Sequence, residues 1–181
     1  MIILHKFLFV ESIQDNEFKY IKKSEASVIL QNIKKQNYFE YSKIIKRCKK
    51  LGIKIFISND IYLLKKHNIK DFYISSFNKK FVRFGSLNIV GSAHNQKEIN
   101  EKIKQGCKLI FISRLFPSEG KKGHLDIIKF NLLTKNLKNV IALGGINKNT
   151  IGKLKNVNCI GFAIKSDLKN KPDYFLKKKS R

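Results

Sequence analysis

Short apolar runs alternate with polar or helical segments along almost the whole chain, and this alternation restricts the possible folds most. Eight runs occur, at residues 7–11, 26–30, 53–57, 72–74, 87–90, 108–113, 140–143 and 159–164. Short apolar strands separated by helices are typical of parallel pairing with the helices outside. Eight repeats predict an α/β fold, a closed (β/α)8 TIM barrel, with an open doubly wound sheet as the alternative.

The length of the chain modifies this prediction. The 181 residues are enough for one domain, so residues 1–181 are predicted to form a single (β/α)8 domain. Because such barrels usually exceed about 200 residues, some helices should be trimmed, above all after the fourth strand. Helices are predicted at residues 12–23, 38–51, 61–67, 96–105, 125–136, 147–156 and 167–181.

The last two strands end in small residues. The seventh runs into Gly144-Gly145, and the eighth into Lys165-Ser166. The glycine pair could simply end a strand, but the following Ile146-Asn147 at a helix start favours anion binding through backbone N–H groups. In barrels, the loops after the last two strands commonly hold a phosphate. This stretch therefore predicts a phosphate cup.

The charge of the chain is strongly positive, with a formal net charge of +25. Such a field favours anionic partners: nucleic acid, anionic lipid or phosphorylated small molecules. Compositional drift toward lysine is a simpler explanation of this charge than a polynucleotide-binding role. The phenylalanines lie within apolar runs and no nucleic-acid-binding motif is present, so nucleic acid is disfavoured as a partner.

Cysteine usage and hydropathy indicate the compartment. Cys48, Cys107 and Cys159 are isolated and show no metal-ligand spacing, which is typical of buried thiols in a reducing compartment. No apolar run approaches the roughly 18 residues of a membrane span. Residues 1–10 are predicted to contain the first strand instead of a signal peptide. We expect a cytoplasmic protein with no membrane association, and the sequence leaves its oligomeric state open.

Polar residues follow directly after most of the apolar runs. In a barrel these positions meet at the carboxyl-terminal mouth, where functional groups lie. One carboxylate, one histidine, hydroxyls and lysines suit holding phosphates and moving a proton better than hydrolysis by paired carboxylates. The candidates are Gln31, Asn59, Asp60, Ser75, Ser76, Ser92, His94, residues 118–121, Gly144, Gly145 and Ser166.

The same positions carry a resemblance to a known family. Five motifs occur in order, each at a strand end: Ser58-Asn59-Asp60, Gly91-Ser92-Ala93-His94, Leu115-Phe116-Pro117-Ser118-Glu119-Gly120-Lys121, Ala142-Leu143-Gly144-Gly145-Ile146 and Gly161-Phe162-Ala163-Ile164-Lys165-Ser166. Together they resemble the thiamine phosphate synthase family, which includes the thiazole tautomerases. The match spans most of the chain.

The resemblance implies a (β/α)8 transferase of thiamine biosynthesis. The synthases of this family join an aminopyrimidine diphosphate to a thiazole phosphate and release pyrophosphate with Mg2+. The resemblance further implies a metal-binding role for Asp60 and catalytic roles for Ser92, His94 and Lys121. The implied substrate-binding residues are Gln31, Lys35, Asn59, Ser118, Gly144, Gly145, Ile164 and Ser166.

Two departures from the family pattern leave alternatives open. After the second strand the family has a Gln-x-Arg-x-Lys pattern, whereas here Gln31 is followed by no arginine of that pattern and only Lys35 can take the place of its basic residues. Residues 74–78 also lack the family's second metal-binding aspartate. Asp60 itself could cap the following helix, bind a metal, or do both. His94 could be a helix-entry residue, or the acid-base histidine of a metal-independent tautomerase. A noncatalytic nucleic-acid-binding protein is a third alternative, motivated by charge alone.

Overall fold

Eight parallel strands form a closed barrel in the computed structural model, which describes residues 5–80, 86–118, 120, 123–165 and 173–176. The strands pair in sequence order, and β1 closes the ring by pairing with β8 through His5↔Gly161 to Leu8↔Ile164. This confirms the predicted (β/α)8 class. The strands are β1 (His5–Val10), β2 (Ser27–Leu30), β3 (Ile55–Ser58), β4 (Asp71–Ile74), β5 (Asn88–Ala93), β6 (Leu109–Ser113), β7 (Val140–Leu143) and β8 (Gly161–Ile164).

The helices around the barrel are short. In α2 the buried residues Tyr41, Ile44, Ile45 and Cys48 lie three and four positions apart, as the sequence predicts. No helix occurs between β4 and β5 within residues 75–80 and 86–87, in agreement with the predicted trimming. The α-helices are α1 (Glu17–Ser24), α2 (Tyr38–Lys50), α3 (Ile61–Lys66), α4 (Gln96–Lys104), α5 (Asp126–Thr134) and α6 (Asp173–Leu176), and 3₁₀ helices occupy Lys35–Asn37 and Ile151–Asn156.

Aromatic side chains fill the interior of the barrel. Phe7 packs edge-to-face on Phe111 with ring centroids 4.9 Å apart, and Phe9 packs on Tyr73 at 5.3 Å. Phe56 completes this cluster. Edge-to-face pairs contribute about 0.5–1.5 kcal/mol beyond the burial of their area. The barrel therefore has a packed apolar centre, and a ligand can enter only at its ends.

Helix α1 begins at Glu17 instead of residue 12, and β3 is Ile55–Ser58 instead of 53–57. Two other differences from the sequence prediction affect the site. β5 continues to Ala93 instead of ending at residue 90, because its ladder with β6 extends to Ala93↔Ile112. Ser92 is therefore a strand residue and not a loop residue. The segment after β7 forms only a 3₁₀ helix, Ile151–Asn156, since Thr150 and Asn147 bond each other before it and shorten it.

A buried lysine anchors the segment that follows β4, where the described residues form no helix. Lys102 on α4 is fully buried and donates to the carbonyls of Ser75 at 2.8 Å and Asn78 at 2.9 Å, and to Gln105 Oε1 at 2.8 Å. A Cβ at Gly91 would lie 2.8 Å from Lys102 Cδ, so the glycine lets the lysine side chain pass over β5. Burial lowers the pKa of Lys102. The residues 75–80 are thereby anchored without a helix.

The three cysteines are free. Cys48 and Cys159 are buried and Cys107 is partly buried. Burial raises the pKa of Cys48 and of Cys107 to about 12, and that of Cys159 to about 11. The prediction of buried thiols is thus confirmed for Cys48 and Cys159, and Cys107 is only partly buried. Their raised pKa values disfavour the reactive thiolate form.

None of the helices in the described part of the chain is both long enough and apolar enough to cross a membrane.

Candidate active site

Two of the clefts at the carboxyl-terminal ends of the strands contain most of the predicted site residues. The first, the β7–β8 cup, has a volume of about 430 Å³ and is lined by Ser113, Arg114, Pro117, Ser118, Leu143, Gly144, Gly145, Ile146, Asn147, Ala163, Ile164 and Lys165. The second, the β3–β4 cleft, has a volume of about 300 Å³ and is lined by Gln31, Asn32, Ile33, Ser58, Asn59, Asp60, Tyr73, Ser75 and Phe77. Both lie where the functional groups of (β/α)8 proteins occur.

The glycine pair shapes the β7–β8 cup. Gly144 and Gly145 have φ angles of +99° and +67°, a region that side chains rarely adopt. A Cβ at Gly145 would lie 2.4 Å from the Pro117 carbonyl oxygen, and one at Gly144 would lie 2.4 Å from Arg114 Cγ. The chain after β6 therefore packs directly on the glycines. Only glycine permits this close approach of the two loops.

Hydrogen bonds fix the loop that leaves the cup. The Thr150 hydroxyl donates to the Gly145 carbonyl at 2.8 Å and accepts from the Asn147 amide at 2.9 Å. The Asn147 side chain accepts from the amides of Asn149 and Thr150. These bonds hold residues 145–150 in one conformation, so the cup is formed before a ligand binds.

Two basic residues and a serine complete the cup. Arg114, Lys165 and Ser118 line it together with the backbone of the glycine loop. Arg114 donates to the carbonyl of Gly123 at 2.6 Å, which links both ends of the β6–α5 loop. Cationic side chains beside glycine-rich backbone suit an anion such as phosphate. Among the predicted residues of this region, Glu119, Lys121 and Ser166 lie outside the described residues.

Asn59 organises the β3–β4 cleft. It has a φ of +56°, which asparagine tolerates better than most residues. Its amide nitrogen donates to Ser75 Oγ at 2.8 Å, and its oxygen accepts from the Ser75 amide at 3.2 Å and from the Asn78 side chain at 2.9 Å. The predicted substrate-binding residue thus joins β3 to the loop after β4.

Asp60 has two hydrogen-bond partners. Its Oδ1 accepts from the Leu63 amide at 2.8 Å and caps α3, as the sequence suggested. Its Oδ2 accepts from the Tyr38 hydroxyl at 2.6 Å. This bond to Asp60, with burial second, raises the pKa of Tyr38 to about 12. The Tyr38 ring also stacks on Tyr62 with centroids 5.0 Å apart.

Ser92 and Tyr73 meet at the top of the aromatic cluster. Ser92 is 5% exposed, and its side chain lies close enough to the Tyr73 hydroxyl to act on its pKa. Burial raises the pKa of Tyr73 to about 12, although the polar Ser92 side chain opposes the shift. Tyr73 lines the β3–β4 cleft, whereas Ser92 lies outside its lining.

His94 lies at the end of β5, outside the linings of both clefts. Its Nδ1 lies 2.9 Å from Glu98 Oε2, and its backbone amide donates to the same oxygen at 2.8 Å. Burial raises the pKa of Glu98, but the hydrogen bonds from His94 outweigh this effect and lower it overall. Asn95 caps α4 beside the pair. His94 therefore has a helix-entry role, and its catalytic role stays a prediction.

The other predicted residues are placed as follows. Gln31 lines the β3–β4 cleft, whereas Lys35 begins an exposed 3₁₀ turn and does not line it. Ile164 is buried at the end of β8 and lines the cup with Ser118. The structure thus brings together most of the predicted substrate-binding residues at one end of the barrel.

Asp60 is the candidate ligand for Mg2+. No group of three or more His, Cys, Asp or Glu side chains that could hold a metal occurs in the part of the chain that is described. Both oxygens of Asp60 already accept one hydrogen bond each. A carboxylate oxygen retains a further lone pair. Asp60 therefore fits as one ligand of a Mg2+ ion, an ion that commonly takes only one or two carboxylates from the protein.

Sequence reasoning did not identify several residues of the site. Arg114 gave no signal because it follows a strand in a loop that was matched only from Leu115 onward. Tyr73 reads as a core strand residue, which it also is. Tyr38 lies far from Asp60 in sequence, and only the fold brings the two together.

The structure is a closed (β/α)8 barrel with a basic, glycine-lined cup after β7 and β8, the position at which barrels of this class commonly hold a phosphate. Comparison with known families is more specific. The model of the family described as thiamine monophosphate synthase matches residues 22–168. The chain belongs to this family.

Curated relatives carry the same activity in their names. A thiamine-phosphate synthase of Prochlorococcus marinus subsp. pastoris is 36% identical over 147 residues, which cover 77% of this chain and 42% of the relative. A thiamine-phosphate synthase of Clostridium tetani is 27% identical over 154 residues, covering 78% and 72%. The chain spans less than half the length of the Prochlorococcus relatives that it matches.

Solved structures show the same fold. Thiamine phosphate pyrophosphorylase from Pyrococcus furiosus matches with a TM-score of 0.69 at 13% identity, over 96% of this chain and 95% of that one. The enzyme of the same name from Bacteroides thetaiotaomicron matches with a TM-score of 0.62 at 18% identity, over 92% and 84%. At these identities the likeness concerns the fold alone.

Proposed function

We propose that this protein is a thiamine phosphate synthase-type transferase. It joins an aminopyrimidine diphosphate to a thiazole phosphate and releases pyrophosphate. The observation that carries the proposal is the pairing of two clefts at one end of the barrel, a basic glycine-lined cup and a cleft with amide and carboxylate groups. Membership of the family and the names of its relatives support it.

The cup is the proposed seat of the thiazole phosphate. Gly144 and Gly145 let the loop backbone approach the phosphate without interference from a Cβ atom. Arg114 and Lys165 supply positive charge at the rim of the cup. Because hydrogen bonds preform this loop, little ordering of the chain is needed when the phosphate binds.

The β3–β4 cleft is the proposed seat of the aminopyrimidine. The Gln31 amide can bond the edge of a heteroaromatic ring, Asn59 fixes the adjacent loop through Ser75 and Asn78, and Tyr73 lines the inner wall of the cleft. The buried floor excludes water from the ring. The thiazole, held by its phosphate in the neighbouring cup, attacks the pyrimidine methylene carbon as the bond to the diphosphate breaks, so the carbon–oxygen electron pair leaves with pyrophosphate.

Negative charge develops on the departing pyrophosphate, and cationic groups stabilise it. Mg2+, when bound, supplies such charge, and Asp60 is the residue that would hold it. Lys121 is the proposed lysine for the same group, although it lies outside the described residues. Phosphorylated small molecules are thus the proposed partners, and neither nucleic-acid binding nor a cytoplasmic location is needed for this chemistry.

Incubation with both phosphorylated precursors and Mg2+ tests the proposal, with thiamine phosphate measured as product. We expect product from the wild type and at least a tenfold lower rate from Asp60→Asn, which keeps the helix cap but loses the charge. Asp60→Ala serves to separate the cap from the charge. Absence of product from the folded wild type would refute the proposed activity.

The His94–Glu98 pair favours a second candidate, the thiazole tautomerase of the same family. An imidazole oriented by a carboxylate through Nδ1 is an arrangement suited to proton transfer. This reaction moves a proton on the thiazole carboxylate phosphate and requires no metal. Isomerisation in the presence of a chelator, abolished in His94→Ala, would support it. Equal rates for the variant and the wild type would exclude it.

A further inference from the structure

The loop after β4 carries an exposed phenylalanine at the edge of a cleft. Phe77 is 79% exposed and lines the β3–β4 cleft. It also lines a neighbouring outer cleft that includes Tyr38, Tyr62 and Lys79. A large apolar side chain left in solvent beside a cleft gains from covering an apolar or aromatic ligand.

The backbone around Phe77 is held from both sides. From behind, Lys102 donates to the carbonyls of Ser75 and Asn78, and Gln105 Nε2 donates to the Asn78 carbonyl at 3.0 Å. From the cleft side, Asn59 bonds both Ser75 and the Asn78 side chain. The residues that flank Phe77 are therefore fixed, and its exposure is a property of an anchored loop.

The polar groups that line the cleft with Phe77 suit the edge of a flat heteroaromatic ring. Gln31 supplies an amide and Ser58 a hydroxyl. The Asn59 amide is engaged with Ser58, Ser75 and Asn78, and the Asn32 amide donates to Glu11, so these two fix the shape of the cleft. Amide groups that bond a ring edge, together with an aromatic side chain on the ring face, are the usual elements of heterocycle recognition. None of these four side chains carries a charge, so they suit the ring better than its phosphates.

We propose that Phe77 is a stacking residue that determines specificity for the aminopyrimidine ring. This inference rests on the proposed function and deepens it, since it assigns ring recognition to one side chain and phosphate recognition to others. Phe77 contributes no group to the transfer step. Its effect is on the affinity for the ring, and the affinity for free pyrophosphate is independent of it.

Titration calorimetry with two probes, the aminopyrimidine diphosphate and inorganic pyrophosphate, tests the inference in Phe77→Ala and Phe77→Tyr. We expect Phe77→Ala to bind the aminopyrimidine diphosphate about tenfold or more weakly, the range of an aromatic stack, while pyrophosphate affinity is unchanged. Phe77→Tyr keeps the ring face and should stay within about threefold of the wild type.

Phe39→Ala is the matched control, because Phe39 is 70% exposed on α2 and lines neither cleft. Its affinity for both probes should equal that of the wild type. Equal affinity of Phe77→Ala and wild type for the aminopyrimidine diphosphate would overturn the inference and leave the proposed function standing. A wild type that binds this compound no better than pyrophosphate would overturn both.

Discussion

Replacement of Gly145 by alanine tests the shape of the β7–β8 cup independently of the rest of the barrel. The φ of +67° alone costs an alanine about 1–2 kcal/mol. The new Cβ would also lie 2.4 Å from the Pro117 carbonyl oxygen and 2.5 Å from that of Phe116. Relief of that overlap requires a backbone shift of about 1–3 kcal/mol. Gly145→Ala should therefore lower the free energy of unfolding by about 2–5 kcal/mol.

Gly106→Ala provides the matched control. Gly106 follows α4 with a φ of +76°, but a Cβ there would meet nothing within 4 Å. It should show only the strain of the left-handed backbone, about 1–2 kcal/mol. The difference between the two variants in urea unfolding then isolates the overlap with the β6–α5 loop.

Calorimetry with the thiazole phosphate provides the functional measurement on the same two variants. We expect Gly145→Ala to bind at least tenfold more weakly, because the loop that it displaces carries Ser118 and lines the cup. Gly106→Ala should bind as the wild type does. Equal stability and equal affinity of the two variants would refute the assignment of a shape-determining role to Gly145.

Three further predictions concern other parts of the structure. In Asp60→Asn the pKa of the Tyr38 hydroxyl, measured by ultraviolet absorbance, should fall from about 12 toward the ordinary 10.0. In the wild type the raised pKa stabilises the folded state fully below pH 10, and this stabilisation is lost as the pH rises through 12. Lys102→Met should lower the free energy of unfolding in urea by about 2–3 kcal/mol, because the Ser75 carbonyl and Gln105 lose their donor. The three thiols should react slowly with a disulfide reagent in the native protein and rapidly in denaturant, since burial raises their pKa to about 12 or 11. Unchanged Tyr38 titration, unchanged stability or rapid native labelling would contradict the respective assignment.

The alternation of apolar runs was sufficient to predict the barrel, because each strand of a parallel sheet must bury both faces and therefore remains apolar in sequence. The β7–β8 cup was predicted from Gly144-Gly145 at the end of a strand, because a glycine pair at such a position has few other structural roles. The cap at Asp60 was equally accessible, since it depends on contacts within four residues.

Contacts between distant parts of the chain were not accessible in this way. Lys102 lies on a polar helix whose other lysines face water, and nothing local distinguishes it as buried. The end of β5 was placed too early because Gly91 looks like a strand terminator, whereas its lack of a side chain serves the passage of Lys102. Tyr38 is likewise recognisable only once the fold brings the start of α2 beside the start of α3.

A crystal structure with the thiazole phosphate bound is the most direct test of the central claim, that the ends of β7 and β8 hold a substrate phosphate. The proposed function predicts the phosphate in the β7–β8 cup, within hydrogen-bond distance of the backbone near Gly145 and beside Arg114. A phosphate bound elsewhere on the barrel, with this cup filled only by water, would contradict it.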